Sequence, residues 1–335
     1  MWAYLVRRLL LTGLSIAGVL VLTFFLSHVI PGDPVAAVLG PQAPQSVVED
    51  MRRRWGLDRP IHEQFLRYLN RLARADLGRS LATHRDVIQD LREFFPATIE
   101  LATTAIVIGA VAGLAIGIVS AVARGSWLDH GTRVLSLIGL SMPVFWLGLI
   151  ALLLLYSRWG LVPGPGQMDV FLSRPPRITG MVIPDALLAG DVGAFRNALG
   201  HLVLPALVLG SHALVGIARI TRASMLEVLG QEYVKVARAK GLTQRAVVMR
   251  HALKNALLPI VTVIGIYYGG LLEGAVLTET VFAWPGLGRY ATSAILSQDF
   301  AAIMGVTILI ALVFSLANLI VDVMYAVLNP KIRYE

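Results

Sequence analysis

The sequence predicts an all-α integral membrane protein with six transmembrane helices, and three observations predict it. First, 56% of its 335 residues are hydrophobic and only 15% are charged, with a mean hydropathy of +0.70. A soluble chain carries about 25% charged residues, so too few charges are present to coat soluble domains. A disordered chain needs the opposite composition, low hydrophobicity and high net charge. Second, six apolar segments reach the roughly 20 residues that a helix needs to cross hydrocarbon: residues 9–30, 97–123, 134–156, 202–220, 257–277 and 302–328. Third, an even number of spans puts both termini on one side, and the basic residues say which. With the termini inside, the inside segments hold 14 Lys and Arg and the two short outside loops hold five, the asymmetry expected of cytoplasmic loops. The other ten lie between Arg52 and Arg92, in a long outside segment where they are nearly balanced by the nine acids from Asp33 to Glu93. The net charge of +8 therefore marks orientation and calls for no nucleic acid. With no cysteine in the chain, a disulfide framework, a thiolate metal site and a cysteine nucleophile are excluded.

The first span follows Arg7-Arg8 and could be taken for a signal peptide. Its apolar core of about 22 residues exceeds a signal peptide's 7–15, and no A-x-A-like site follows, so it reads as a retained helix. Pro31-Gly-Asp-Pro34 ends it, since proline lacks an N–H and Gly-Asp favours a turn. The segment to Pro96 is soluble in character. Residues 45–55 and 61–75 read as amphipathic helices, the second with Ile61, Phe65, Tyr68, Leu69 and Leu72 at helical spacing. They predict a small external cap packed over the first span. The chain thus divides into an N-terminal helix (1–30), an extracytoplasmic cap (31–96), a five-span core (97–328) and an inside tail (329–335).

Within the core, Gly109, Gly113 and Gly117 form small-x-x-x-small steps that allow close helix packing. Pro143 is expected to kink the third span and Pro205 the fourth. The outside loop 158–200 is rich in Pro and Gly and has no clear period. Acids at membrane depth are costly unless paired or wet. Glu273 lies beside Gly269, Gly270 and Gly274, and two readings stand: lining a pathway, or bonding to a neighbouring helix or subunit. Glu100 and Asp322, nearer helix ends, read as structural. Tyr267 and Tyr268, or Phe145 and Trp146, either line a cavity or pack. Residues 278–289, with Trp284 and Pro285, are short, aromatic and glycine-rich, and read as an outside gate or docking turn.

No catalytic motif accompanies this pattern. The nearest string to a phosphate loop, Ala239-Lys240-Gly241-Leu242-Thr243, lacks the required glycines, and His62-Glu63 is followed by Leu66 where a zinc-binding motif needs histidine. No G-x-S-x-G elbow occurs. The chain does not read as an enzyme by itself.

The inside loop 222–256 is too regular for a linker. Met225, Val228, Leu229, Tyr233, Val236 and Ala237 form one helical stripe. Gly241 sits where a left-handed cap is wanted, and Thr243 can N-cap a second helix. Pro259 falls near the start of the fifth span, where its missing N–H is tolerated. Small residues at Ala237, Ala239 and Gly241 let another surface approach the backbone. From the residues alone, an anionic lipid surface and a protein partner both fit.

Glu232 to Pro259 resembles the EAA loop of bacterial ATP-binding-cassette (ABC) importer permeases, in the long spacing of the peptide group. Other blocks match along nearly the whole chain. They are Thr23-Phe24 with His28-Val-Ile-Pro-Gly-Asp-Pro34, Asp76-Leu-Gly-Arg-Ser80, Ala97-Thr-Ile-Glu-Leu101 and Ser141-Met-Pro-Val-Phe-Trp-Leu-Gly148. Leu277-Thr-Glu-Thr-Val-Phe-Ala-Trp-Pro-Gly-Leu-Gly288 and Asn329-Pro-Lys-Ile-Arg333 complete the set. Together they resemble the dipeptide/oligopeptide/nickel permease group, and within it the first membrane subunit of the dipeptide type. That resemblance implies the type I ABC importer permease fold with an external helical cap, in the bacterial inner membrane. It implies one half of a heterodimeric pore, completed by a second permease, two cytoplasmic ATPases holding ATP and Mg, and an extracytoplasmic binding protein that delivers peptide. No cofactor is expected in this chain itself. Docking to the ATPase is assigned to Glu232, Tyr233, Ala237, Ala239, Lys240, Gly241, Leu242, His251, Asn255 and Pro259. Pathway or gate roles fall to Glu273, Pro143, Phe145, Trp146, Tyr267, Tyr268, Trp284 and Pro285, with Glu273 suited to a peptide's N-terminal amine. Relatives that carry nickel chelates, glutathione or haem are alternatives within the group. A proton-coupled secondary transporter or a structural membrane subunit is the alternative outside it.

Overall fold

The computed structural model describes residues 2–29, 35, 39, 40 and 43–328, without the side chains of residues 2–9, 26–29, 55, 273, 274 and 321–328. The turn at 31–34, the tail 329–335 and the side chains of Glu273 and Asp322 therefore lie outside the described residues. All regular elements described are helical: α1 (Trp2–Val29), α2 (Gln45–Trp55), α3 (Ile61–Ala73), α4 (Val87–Val122), α5 (Trp127–Ser141), α6 (Val144–Ala151), α7 (Val182–Leu188), α8 (Val192–Leu229), α9 (Glu232–Ala239), α10 (Gln244–Ala246), α11 (Leu253–Gly274), α12 (Val276–Val281), α13 (Leu287–Leu296) and α14 (Phe300–Leu328). Wider π-type turns extend α6 over Leu152–Arg158 and join α10 to α11 over Val247–Ala252.

Four described helices are long and apolar enough to cross a membrane, Val87–Val122, Val192–Leu229, Gln244–Leu272 and Phe300–Ile320. A fifth results if the pair Trp127–Ser141 and Val144–Arg158, bent by 99°, is one broken span. Of the first of the six expected spans, carried by the 28-residue α1, the part described with its side chains is the apolar stretch Leu10–Phe25. Helix ends depart from the hydropathy bounds for a simple reason: backbone hydrogen bonding continues where apolarity stops. Helix α8 has 38 residues, roughly 57 Å at 1.5 Å per residue, so its ends must extend past a hydrocarbon layer of about 30 Å. Helix α4 likewise begins ten residues before Ala97 and runs through Pro96.

The structure divides into two compact units. One comprises Met1–Pro96 and Gly286–Val313. In it the cap helix α3 packs Phe65 and Tyr68 against Phe24 of α1, at ring separations of 5.1 and 5.6 Å. Two buried aspartates organise the rest. Asp90 accepts hydrogen bonds from Thr83 Oγ1 at 2.5 Å and Tyr290 OH at 3.0 Å, and pairs with Arg85 at 2.7 Å. Burial, with the bond to Asp90 second, pushes the Tyr290 phenol well above its ordinary pKa. Asp299, fully buried, accepts at one oxygen from Ser80 Oγ (2.6 Å), Leu81 N (2.7 Å) and Ala82 N (3.2 Å). Its other oxygen caps α14 through Ala302 N at 3.1 Å. An amide at this position leaves only one oxygen for donors arriving at two. Asp299→Asn is therefore expected to cost about 2–4 kcal/mol, read as a lower thermal denaturation midpoint in detergent; an unchanged midpoint would contradict the role.

The second unit comprises Ala97–Pro285 and Phe314–Glu335. Its core is built where α4 crosses α8, with Leu101, Ala105, Leu202, Leu209, Ala213, Ile217, Leu271 and Trp284 buried. The glycine stripe makes that crossing possible. A Cβ at Gly109 would lie 2.9 Å from Gly210 O, one at Gly113 2.7 Å from Leu214 O, and one at Gly117 2.7 Å from Ala218 O. These are backbone contacts that real Cβ atoms do not make, so the stripe serves packing.

The expected kink at Pro143 is a full corner. Helix α5 ends at Ser141, Pro143 is the N-cap of α6 in an extended conformation (φ −60°, ψ 133°), and the two arms are bent by 99°. The residue before a proline is pushed out of the helical region, and Met142 is extended at ψ 127°. Helix α8, in contrast, is continuous across Pro205. The loop 158–200 contains α7, whose start is held by Glu100: its carboxylate accepts from Ile183 N at 2.7 Å and from Gln167 Nε2 at 3.3 Å.

Candidate functional site

The site is the folded connection between α8 and α11. The single helical stripe expected from 225 to 237 is broken at Gly230-Gln231, and α9 restarts in a new phase with extended Gln231 as its N-cap. Glycine is a poor helix former, which accounts for the break. The consequence is that two residues of the stripe turn outward and Val234 turns in. Val234 and Ala237 are buried with Val247 against Val228 and Leu229, while Tyr233 is 42% and Val236 52% exposed.

Helix α9 ends in a Schellman arrangement. Gly241 N donates to Arg238 O at 2.9 Å and Leu242 N to Ala237 O at 3.4 Å, with Gly241 at φ 77°. An ideal Cβ on Gly241 meets nothing within 4 Å, so the glycine is required for its backbone conformation and faces open space. Thr243 Oγ1 then accepts from Ala246 N at 3.3 Å, starting the helical run through α10 and the π-type turns into α11. Pro259 is the seventh residue of α11 and not part of a first turn; its missing N–H falls in a helix interior.

One bond ties the connection together. Asn255 Nδ2 donates to Tyr233 OH at 2.9 Å and to His251 O at 2.8 Å, linking α11 to α9. Lys235 Nζ pairs with Glu232 at 2.7 Å, both exposed, and such surface pairs contribute little. The outward side thus offers Tyr233, Val236, Leu242 and Met249 as exposed apolar side chains. Lys235, Arg238, Ala239, Lys240, Arg245, Arg250 and Lys254 are exposed with them. This side is an apolar centre fringed by cations.

The candidate pathway residues are dispersed. Tyr267 covers Gly216, whose missing side chain makes room for the ring, and stands edge-on to His212 at 6.1 Å. Tyr268 OH shares a hydrogen bond with Thr103 Oγ1 at 2.9 Å. Phe145 and Trp146 are 39% and 44% exposed on α6, and Pro143 is exposed beside them. Glu273 is on α11, with its side chain outside the described residues. Trp284 corrects the gate expectation: it is 1% exposed, and its indole N–H donates to Ala97 O at 2.8 Å. It is a strut between two chain segments, and Pro285 next to it is half-buried. Part of the expected gate turn is also helical, because α12 reaches Val281.

Two buried groups escaped the sequence reading. Glu279, fully buried, accepts from Thr98 Oγ1 at 2.6 Å. Asp129, 2% exposed, is held by Arg222 through a two-bond fork: Nε to Oδ1 at 2.7 Å and Nη2 to Oδ2 at 2.8 Å. Asp129 lies in the polar stretch before the third apolar segment, and nothing in sequence names its partner 93 residues away. Among the described residues no group of His, Cys, Asp and Glu could hold a metal ion.

Comparison with known proteins agrees with this architecture. The profile of "Binding-protein-dependent transport system inner membrane component" matches residues 113–334, and its N-terminal counterpart matches residues 1–102. A probable D,D-dipeptide transport system permease protein of Escherichia coli K12 is 45% identical over 331 residues, covering 99% of this chain and 97% of its own. A di/tripeptide transport system permease protein of Pseudomonas aeruginosa UCBPP-PA14 is 44% identical over the whole of both chains. A glutathione transport system permease protein of E. coli O6:H1 is 36% identical over 99% of each. Among solved structures, the inward-facing MetNI methionine ABC transporter shares the fold. Its TM-score is 0.52 at 18% identity, covering 70% of this chain and 93% of that one.

Proposed function

Because this chain belongs to the family of binding-protein-dependent transport system inner membrane components, the membrane subunits of ABC importers, we propose that it forms half of a translocation pathway for dipeptides and short oligopeptides. As a permease it is the transport component and not the ATPase. A second, homologous permease completes the pathway, two cytoplasmic ATPases supply ATP hydrolysis with Mg, and an extracytoplasmic binding protein delivers the peptide. Both termini and the connection 230–256 face the cytoplasm, in keeping with the fourteen basic residues on that side. The observation that carries the mechanism is this connection. It is capped on both sides of the Gly241–Thr243 turn, tied by Asn255 to Tyr233, and presents apolar side chains among cations. A rigid projection of that kind can transmit a push, where a flexible linker would absorb it. The peptide substrate is supported by the full-length likeness to di/tripeptide permeases.

In proteoliposomes holding the complete complex, uptake of a labelled dipeptide is expected to require ATP and to be competed by other dipeptides. Competition by reduced glutathione or a nickel chelate alone would move the substrate within the family. Uptake driven by a proton gradient without ATP would overturn the mechanism.

A further inference from the structure

The fork between Asp129 and Arg222 joins three helices that hydropathy treats as separate. Asp129 is in the first turn of α5, and Arg222 is on α8, seven residues before the end at Leu229. Ser120, near the end of α4, donates its hydroxyl to Asp129 Oδ1 at 2.6 Å and receives Arg222 Nε at 3.1 Å. Thr132 Oγ1 donates to Ser120 Oγ at 3.1 Å, and Gly125 N closes the carboxylate's other side at 3.1 Å. Every approach to Asp129 is therefore occupied by a donor, and the planar guanidinium fixes α5 against α8 in direction as well as distance. Just beyond Arg222, α8 gives way to α9 across only Gly230 and Gln231. At its other end, α5 meets the 99° corner that leads into α6.

We propose that Asp129 and Arg222 are positioning residues that carry movement of the connection 230–256 into the bent pair α5–α6, so that ATP hydrolysis on docked subunits displaces the pathway wall. This rests on the permease function proposed above. A displacement of α9 pulls on the end of α8, the fork transfers it to the start of α5, and the corner at Pro143 converts it into a change of angle with α6. A rigid two-bond link is needed for this, since a single flexible ammonium contact lets the helices slip.

The test uses the complete transporter in proteoliposomes, with ATP hydrolysis and dipeptide uptake measured on the same vesicles. Arg222→Lys retains the charge and loses the fork; Asp129→Asn retains the shape and loses the charge. The expected result is normal assembly by size exclusion, near-normal hydrolysis and a fall of about tenfold in peptide moved per ATP, larger for Asp129→Asn. An unchanged ratio of uptake to hydrolysis in both variants overturns the proposal. So does a proportional fall of both activities or a failure to assemble, because either marks a plain structural staple. Absence of ATP-driven uptake in the unmodified complex would instead sink the permease function itself, with the positioning role falling as its consequence.

Discussion

Replacing Gly241 by arginine is expected to leave a folded, membrane-inserted protein that no longer supports uptake. Fold and docking make separate demands on this residue. Gly241 has φ 77°, so any L side chain there is strained by about 1–2 kcal/mol. Nothing lies within 4 Å of the new Cβ, and no core contact is lost. The arginine instead projects from the cap between α9 and α10, beside exposed Leu242, where a partner must come close to the backbone. Losing one well-placed docking contact is expected to lower uptake by at least about thirtyfold, with permease yield unchanged and ATPase copurification lost. Gly241→Asn is the control, because asparagine visits the left-handed region more readily than other residues and adds little bulk. It is expected to retain most activity. Equal uptake for glycine and arginine variants would remove the connection from the coupling mechanism.

Gly117→Val is expected to have the opposite signature, a protein that fails to fold. A Cβ at this position would lie 2.5 Å from Thr221 Cβ and 2.7 Å from Ala218 O, both on α8. Backbone oxygen cannot move aside as a side-chain tip can, so α4 and α8 must separate along the whole stripe. Overpacking a tight core costs about 1–3 kcal/mol and more where backbone must shift, and a branched residue adds two methyl groups to the first clash. The loss is expected to reach about 3 kcal/mol or more, read as a collapse of monodisperse protein in detergent. Gly131→Ala provides the contrast. That glycine is in α5 with open space at its Cβ, and alanine there is expected to be neutral or to stabilise by up to about 1 kcal/mol. A well-folded Gly117→Val protein would refute the close crossing.

The sequence stripe and the structure disagree instructively at α9. Periodicity from Met225 to Ala237 is real, but it runs through Gly230, and a helix is re-phased by any break. Only the folded chain shows that Tyr233 and Val236 turn outward while Val234 turns in. Trp284 teaches the same lesson from the other side. An aromatic beside Pro-Gly looks like a gate, yet its indole reaches Ala97 O, 187 residues away. Sequence spacing carries no information about partners at that range.

The sequence by itself determined the class of protein and the position of the apolar segments. Those properties follow from transfer free energies that each segment carries alone. It also determined the local caps, Gly241 and Thr243, because a turn's conformation is set by the residues within it. The tertiary structure alone decided how far the helices extend beyond the apolar stretches, how sharply the chain turns at Pro143, and which acids find partners. Asp129 with Arg222, Asp299 with Ser80, and Glu279 with Thr98 are pairings between distant segments. A buried charge demands a partner, but which residue answers is fixed only when the helices have packed.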